Sequence, residues 1–248
     1  MDILETDAFY RRQRRNMSCS LFVHLVPFFL ATAAYFYVWT PASVGSTMAA
    51  GVKSAPALLL AAVVLIWNGP QSLLGVAGGL LCSALGDFCL VWPEQLFIHG
   101  MAAFAAAHLL YSLTFLSTRY SSDSSSKWPR VFYPVLFLTG GSFYFYLYPY
   151  LQKAPDSELL VPGVGLYILL ITLMGSLAVR TRSLITVLGS LVFMVSDVTL
   201  AVQVFKAAVI ENGTVVVMVT YYLSQLLIAV GDVKTVESND DFSKWKRA

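Results

Sequence analysis

The chain contains eight apolar runs of about twenty residues each, the length that an α-helix needs to cross the hydrocarbon core of a bilayer. Only 12% of its 248 residues are charged, against about 25% in soluble domains. A membrane β-barrel would show shorter segments of alternating hydrophobicity. The sequence therefore predicts an all-α membrane protein, a bundle of eight transmembrane helices. The predicted spans are 19–39, 44–67, 71–91, 96–117, 131–150, 159–179, 183–204 and 214–232.

Polar residues outside the spans predict the domain organisation and the orientation. A basic N-terminal tail occupies 1–18, the eight-helix catalytic domain 19–232, and a polar C-terminal tail, expected to be disordered, 233–248. With eight spans both termini share one side, which carries thirteen Lys and Arg residues against two on the other. Because Lys and Arg accumulate in cytoplasmic loops, we expect both tails to be cytoplasmic. The small net charge of +2 indicates no nucleic-acid partner.

Two aspartates interrupt apolar runs in similar surroundings. Asp87 lies in the third run and Asp197 lies 110 residues later in the seventh; each follows a glycine by eight residues and precedes a leucine by three. A carboxylate inside a span costs at least roughly 2.5–3.5 kcal/mol on insertion scales, so such residues usually mark functional sites. A shift of four spans keeps both copies in the same direction, which predicts a parallel four-plus-four pseudo-repeat. Chance similarity of two apolar helices stays an open alternative.

The residues that precede Asp87 predict that it faces protein. Gly75, Gly79, Ser83 and Asp87 recur every four residues and form a stripe of small side chains. Such a stripe lets a second helix approach closely. We therefore expect Asp87 to lie between helices and not against lipid.

Other polar side chains occupy the same layer of the predicted bundle. At a rise of ~1.5 Å per residue, they lie about 10 to 18 Å from the non-cytoplasmic ends of their spans. These residues are Tyr221, Lys53, Gln225 and His108. His108 shares a helix face with Tyr111, and Tyr221 shares one with Gln225. We interpret these side chains, together with Tyr222, as candidate substrate ligands around the two aspartates.

Each of these residues also has a purely structural interpretation. Lys53 could serve only as the ion-pair partner of one aspartate, and His108 could be a packing histidine with its hydrogen bonds satisfied. The tyrosines could pack, and Gln225 could hold a neighbouring helix. The aspartate pair fits a structural role less well, because two buried carboxylates burden a fold more than they stabilise it.

The motifs of soluble enzymes do not occur in the chain. It contains no nucleophile elbow, phosphate-binding loop, dinucleotide fingerprint or zinc-binding H-E-x-x-H, and its three cysteines show no metal or disulfide spacing. Catalysis would therefore rest on acid–base groups, with no metal. Two carboxyl groups in a site of low dielectric constant predict one protonated acid beside one carboxylate.

An ordered set of motifs resembles the YhhN-like integral membrane lysoplasmalogenases over residues 44–230. The set comprises 53–56, Leu85-Gly86-Asp87 with Leu90, Gly100, Phe104, His108 and Tyr111, Ser196-Asp197 with Leu200-Ala201, and Tyr221-Tyr222 with 225–228. The resemblance implies hydrolysis of the vinyl-ether bond of lysoplasmalogens to a fatty aldehyde and a glycerophospho-ethanolamine or -choline. It also implies a location in the endoplasmic-reticulum membrane.

That reaction suits two carboxyl groups and needs no cofactor. Protonation of the alkenyl carbon creates an oxocarbenium ion to which water adds, a problem that glycosidases also solve with paired carboxyl groups. Asp87 and Asp197 are the expected catalytic pair, and Lys53 could hold the phosphate. The alternatives are a non-enzymatic transporter or lipid receptor with a buried Asp/Lys site, and an intramembrane aspartyl protease, whose motifs match poorly. The sequence leaves the oligomeric state open.

Overall fold

The computed structural model describes residues 3–38, 45–117, 128–181 and 183–245, and within these ranges every regular element is helical. The helices are α1 (Ile3–Val38), α2 (Thr47–Asn68), α3 (Val76–Cys89), α4 (Pro93–Leu116), α5 (Trp128–Leu151), α6 (Ser157–Arg180), α7 (Leu184–Val204) and α8 (Gly213–Trp245). Seven contain segments long and apolar enough to cross a membrane, and α3 is shorter. The chain is therefore an all-α, multi-pass membrane protein, as predicted.

The third predicted span is divided into two pieces. A short 3-10 helix covers Pro70–Leu74, the backbone breaks at Gly75, and the 14 residues of α3 follow. Helix α3 alone is about 21 Å long, and the 3-10 helix adds about 10 Å. Together they approach the ~30 Å thickness of a hydrocarbon core. An eighth crossing at this position stays a prediction.

Local sequence signals explain where several helices begin and end. Helix α2 starts at Ser46, whose hydroxyl accepts a hydrogen bond of 3.0 Å from the backbone N–H of Ala49. It ends at Gly69, which adopts a φ of 77° that only glycine reaches without steric cost. Helix α4 begins with Pro93, which supplies the fixed φ of a first helical turn.

The stripe of small residues on α3 packs against α4. A Cβ atom on Gly79 would overlap the ring of Tyr111, and one on Gly75 would overlap the Thr114 hydroxyl. Only glycine therefore permits the observed approach of the two helices. The side chain of Asp87, on the same stripe, is 2% exposed. The prediction that another helix covers this face is confirmed.

Six helices, α2 to α4 and α6 to α8, surround the middle of the bundle, and α1 and α5 lie at its edge. Helices α3 and α4, and likewise α7 and α8, pack against each other along most of their length, while α2 contacts both α3 and α8. Helix α1 packs chiefly on α2, and α5 packs chiefly on α6. A central apolar core draws residues from α1 to α4 and from α6 to α8.

The end of α8 differs from the sequence-based expectation. Disorder was expected beyond residue 232, but α8 continues to Trp245. Val233 is 1% exposed, and Asn68 on α2 donates a hydrogen bond of 2.7 Å to Asp232. These contacts anchor the last apolar turn, and the helical hydrogen bonding then propagates into the polar segment. The expectation of disorder is therefore wrong for 233–245.

Candidate active site

The carboxyl group of Asp87 lies near the end of α3, in a pocket formed by three helices. The hydroxyl of Tyr221, on α8, donates a hydrogen bond of 2.7 Å to Oδ2. Nζ of Lys53, on α2, lies 4.0 Å from Oδ1. Because a charge buried away from water needs hydrogen bonds and a counter-charge, these two partners allow a carboxylate to occupy this position.

Lys53 also takes part in the packing of α2 against α8. Its backbone carbonyl accepts a hydrogen bond of 2.8 Å from the hydroxyl of Tyr222. The ring of Tyr222 meets that of Tyr35 edge to face, with centroids 5.5 Å apart. Tyr222 therefore holds the helix that carries Lys53. Its assignment as a substrate-binding residue stays a prediction.

The carboxyl group of Asp197, on α7, has a second set of partners. Tyr167, on α6, donates a hydrogen bond of 2.6 Å to Oδ2, and Nε2 of His108, on α4, lies 3.1 Å from the same oxygen. The histidine nitrogen is also 3.0 Å from the Tyr167 hydroxyl, and its other ring nitrogen is 3.4 Å from the sulfur of Met174. Three helices thus meet at Asp197, as three others meet at Asp87.

Both carboxyl groups line one cavity of about 410 Å³. Lys53 and Tyr221 line it as well, and its rim includes the exposed Pro93 and Thr214. The rim residues lie at the beginnings of α4 and α8, so the cavity opens at the face of the bundle where these helices start. The structure therefore brings the two sequence-predicted catalytic residues to a common space.

One aromatic ring connects the two aspartate clusters. The ring of Phe193, on α7, lies 4.8 Å from that of His108 and 5.7 Å from that of Tyr221, measured between centroids. Phe193 is fully buried. Its packing fixes the positions of both polar side chains, since interiors are too densely packed for independent movement.

Of the six predicted substrate ligands, Lys53 and Tyr221 line this cavity, whereas His108, Tyr111, Tyr222 and Gln225 do not. The hydroxyl of Tyr111 donates a hydrogen bond of 2.7 Å to Oε1 of Gln225, and both side chains are fully buried. Ser83 lies 3.5 Å from the same hydroxyl. This pair joins α4 to α8 next to α3, and neither residue is among those lining the cavity. Their assignment as substrate-binding residues stays a prediction.

Sequence reasoning missed Tyr167, which has the shortest hydrogen bond to Asp197. A signal was available, since Tyr167 is a phenol inside an apolar run, ten residues after the start of α6. At ~1.5 Å per residue it lies about 15 Å from that end, in the layer that holds the other polar side chains. Gln203 and Thr214, which also line the cavity, were missed because they lie at helix ends.

Among the described residues, no group of three or more His, Cys, Asp and Glu side chains is placed so that it could hold a metal ion. Cys19, Cys82 and Cys89 are free thiols.

The chain is thus a helical-bundle membrane protein in which two carboxyl groups and a lysine line one cavity between the helices. Sequence comparison narrows this class. The sequence model of the YhhN family matches residues 48–231. Because this match covers most of the chain, the chain belongs to the YhhN family.

Several curated relatives are similar over most of their length. Lysoplasmalogenase TMEM86A of Bos taurus is 33% identical over 235 residues, covering 88% of this chain and 92% of the relative. Lysoplasmalogenase TMEM86B of Sus scrofa is 39% identical over 207 residues, covering 83% and 84%. Lysoplasmalogenase TMEM86B of Homo sapiens is 36% identical over 215 residues, covering 85% and 87%. No solved structure matches the chain.

The Lys53–Asp87 pair should contribute to stability. Replacing Lys53 with Met leaves the Asp87 carboxylate without its ammonium partner. We therefore expect the free energy of unfolding to fall by roughly 1–3 kcal/mol. This is less than the usual cost of breaking a fully buried pair, because the Lys53 side chain is 15% exposed. Adding Asp87→Asn to Lys53→Met should recover most of the loss. Thermal unfolding in detergent measures both effects. Equal unfolding temperatures for wild type and Lys53→Met would contradict the pairing.

Proposed function

We propose that this protein is a lysoplasmalogenase, an enzyme that hydrolyses the vinyl-ether bond of lysoplasmalogens. The products are a fatty aldehyde and glycerophosphoethanolamine or glycerophosphocholine. The observation that carries the proposal is a cavity lined by two carboxyl groups and a lysine, in a chain whose relatives are named lysoplasmalogenases. The substrate is a membrane lipid, which suits a site at membrane depth.

The chemistry proceeds in three steps that need only acid–base groups. A protonated carboxyl group gives its proton to the second carbon of the alkenyl chain, and the double-bond electrons form the new C–H bond. The ether oxygen shares a lone pair with the first carbon, which produces an oxocarbenium ion. Water adds to that carbon, and the resulting hemiacetal collapses to an aldehyde and an alcohol.

Asp87 and Asp197 divide this work between them. One supplies the proton, and the other remains ionised, stabilises the cation and accepts a proton from the attacking water, as paired carboxyl groups do in glycosidases. Lys53 binds the phosphate group of the substrate, since its ammonium group lines the cavity. His108 and Tyr221 keep the two carboxyl groups in place through the hydrogen bonds described above.

Tyr111, Tyr222 and Gln225 act on the substrate indirectly in this proposal. Tyr111 and Gln225 hydrogen-bond each other between α4 and α8, and Tyr222 holds the backbone of Lys53. They position α2, α4 and α8 around the cavity. Direct contact with glycerol hydroxyls would require these side chains to leave buried partners.

We further propose eight crossings in a four-plus-four arrangement, both termini cytoplasmic, in the endoplasmic-reticulum membrane. The crosswise pairing supports the repeat: Asp87 on α3 bonds to α8, and Asp197 on α7 bonds to α4. In a repeat that matches α3 with α7 and α4 with α8, the contact between α3 and α8 corresponds to the contact between α7 and α4.

An even number of crossings puts both termini on one side of the membrane. We expect tags at the N- and C-termini to be digested by protease added to sealed microsomes, because both face the cytosol. Protection of the C-terminal tag alone would indicate seven crossings and would exclude the four-plus-four arrangement.

Removing either carboxyl group should stop the reaction. We expect Asp87→Asn and Asp197→Asn each to lower kcat by at least about a hundredfold, since positioned acids and bases contribute roughly 10²–10⁴-fold. Purified protein in detergent with a lysoplasmalogen substrate provides the measurement. Asp156→Asn, at an exposed connection outside the cavity, is the matched control and should retain activity. Binding without turnover by the wild type would favour a receptor or transporter.

The reaction should be specific for the alkenyl ether. A saturated 1-alkyl ether has no double bond to protonate, and cleavage of a 1-acyl ester needs a nucleophile and an oxyanion hole. We therefore expect both lipids to inhibit competitively, because they share the tail and phosphate contacts. Product analysis by mass spectrometry tests this. Efficient release of fatty acid from the 1-acyl lipid would contradict the assigned role of the aspartates.

A further inference from the structure

A second cavity lies between α4, α5, α6 and α7. It adjoins the cavity of about 410 Å³ described above, here called the polar cavity because Asp87, Asp197 and Lys53 line it. It measures about 100 Å³, and its lining is almost entirely apolar, including Met101, Phe143, Ile168 and Met194. Thr139 on α5 and Val198 on α7 both line this cavity, and both are exposed on the outer surface of the bundle. Because this surface is at membrane depth, the gap between α5 and α7 faces lipid chains.

The apolar cavity and the polar cavity adjoin each other. The residues that line both are Leu90, Phe97, Phe104, Asp197, Leu200 and Val204. Asp197 is the ionisable member of this shared set, whereas Asp87 and Lys53 line the polar cavity alone. The two aspartates are therefore not equivalent, because one stands at the boundary between an apolar and a polar space.

We propose that the apolar cavity binds the first part of the alkenyl chain of the substrate, and that the rest of the chain extends into the bilayer between α5 and α7. This inference rests on the proposed function. A lysoplasmalogen has a charged head, a reactive double bond and an apolar chain in that order. With its phosphate at Lys53 and its chain in the apolar cavity, its double bond lies at the boundary.

This placement makes Asp197 the proton donor. The reactive double bond joins the first two carbons of the chain, so it lies beside the carboxyl group that both cavities share. Asp197 gives its proton to the second carbon and becomes a carboxylate, which the Tyr167 hydroxyl and His108 stabilise through Oδ2. Asp87, in the polar cavity, accepts one proton from the attacking water. When the hemiacetal collapses, Asp87 gives this proton to the departing glycerol oxygen, and the hemiacetal hydroxyl proton passes to Asp197, which restores both carboxyl groups.

The distance between Asp197 and Thr139 determines how many carbons of the alkenyl chain lie inside the cavity. Thr139 lies 12 residues before the end of α5, and Asp197 lies seven before the end of α7. At ~1.5 Å per residue, Thr139 lies about 7.5 Å farther than Asp197 from the ends of their helices, the ends near which the polar cavity opens. A four-carbon chain ends before Thr139, whereas a sixteen-carbon chain passes it.

The first experiment fills the gap beside Thr139. We compare Thr139→Trp with Leu138→Trp, a neighbouring position that is 70% exposed and lines neither cavity. The substrates are hexadecenyl and butenyl lysoplasmalogens with the same head group. Thr139→Trp should lower kcat/KM at least tenfold for the hexadecenyl substrate and leave the butenyl substrate within twofold of wild type. Leu138→Trp should affect neither.

Two outcomes of this comparison would overturn the proposal. Equal kcat/KM values for Thr139→Trp and Leu138→Trp with the hexadecenyl substrate would show that the chain lies elsewhere. An equal loss for both chain lengths in Thr139→Trp would show a general disturbance and no chain site. Absence of turnover by the wild type would instead count against the proposed function. The failure of the proposed function is thus distinguishable from the failure of the chain site.

The second experiment requires no turnover. Saturated 1-alkyl ether lysophosphoethanolamines that carry a diazirine at chain carbon 2 or carbon 6 are photolysed with the wild-type protein. We expect the carbon-2 probe to label Asp197 and the carbon-6 probe to label α5, α6 or α7 residues of the apolar cavity, with both suppressed by unlabelled lipid. Labelling of Asp87 by the carbon-2 probe, or labelling spread over exposed residues such as Leu138, would overturn the proposal.

Discussion

The burial of Asp87 is the constraint on which the site depends. A carboxylate at membrane depth is tolerated only with hydrogen-bond donors and a counter-charge. Tyr221 supplies the first from α8, and Lys53 supplies the second from α2. Three helices therefore have to meet at one point, and the glycines of α3 make room for α4 beside it. The polar group that is costly in lipid thus determines how the helices converge.

The second aspartate repeats this arrangement with different partners. Asp197 is held by a tyrosine and a histidine, and the described contacts place no lysine beside it. Asp87 has a lysine neighbour, with Nζ of Lys53 4.0 Å from Oδ1. Two carboxyl groups with unlike neighbours can hold different protonation states, as the hydrolysis of a vinyl ether requires. The cavity of about 410 Å³ that both residues line is large enough to hold water molecules.

Much of this arrangement could be predicted from the sequence. Apolar length predicted the helices, the four-residue stripe predicted the covered face of Asp87, and the cost of buried charge singled out both aspartates. The partners of each side chain could not be predicted. Tyr167 was missed, and so was the hydrogen bond that Tyr111 donates to Gln225. Which phenol reaches which carboxylate depends on helix rotation and spacing, and these follow from packing across the whole bundle.

The most direct test of the account follows the proton itself. Purified protein hydrolyses a lysoplasmalogen in deuterium oxide, and the aldehyde is trapped at once by borohydride reduction to prevent later exchange. If a carboxyl group protonates the alkenyl carbon, the alcohol recovered carries one deuterium at carbon 2 and none at carbon 1. Release of an aldehyde that lacks deuterium at carbon 2 would contradict carbon protonation, and with it the central role of the two aspartates.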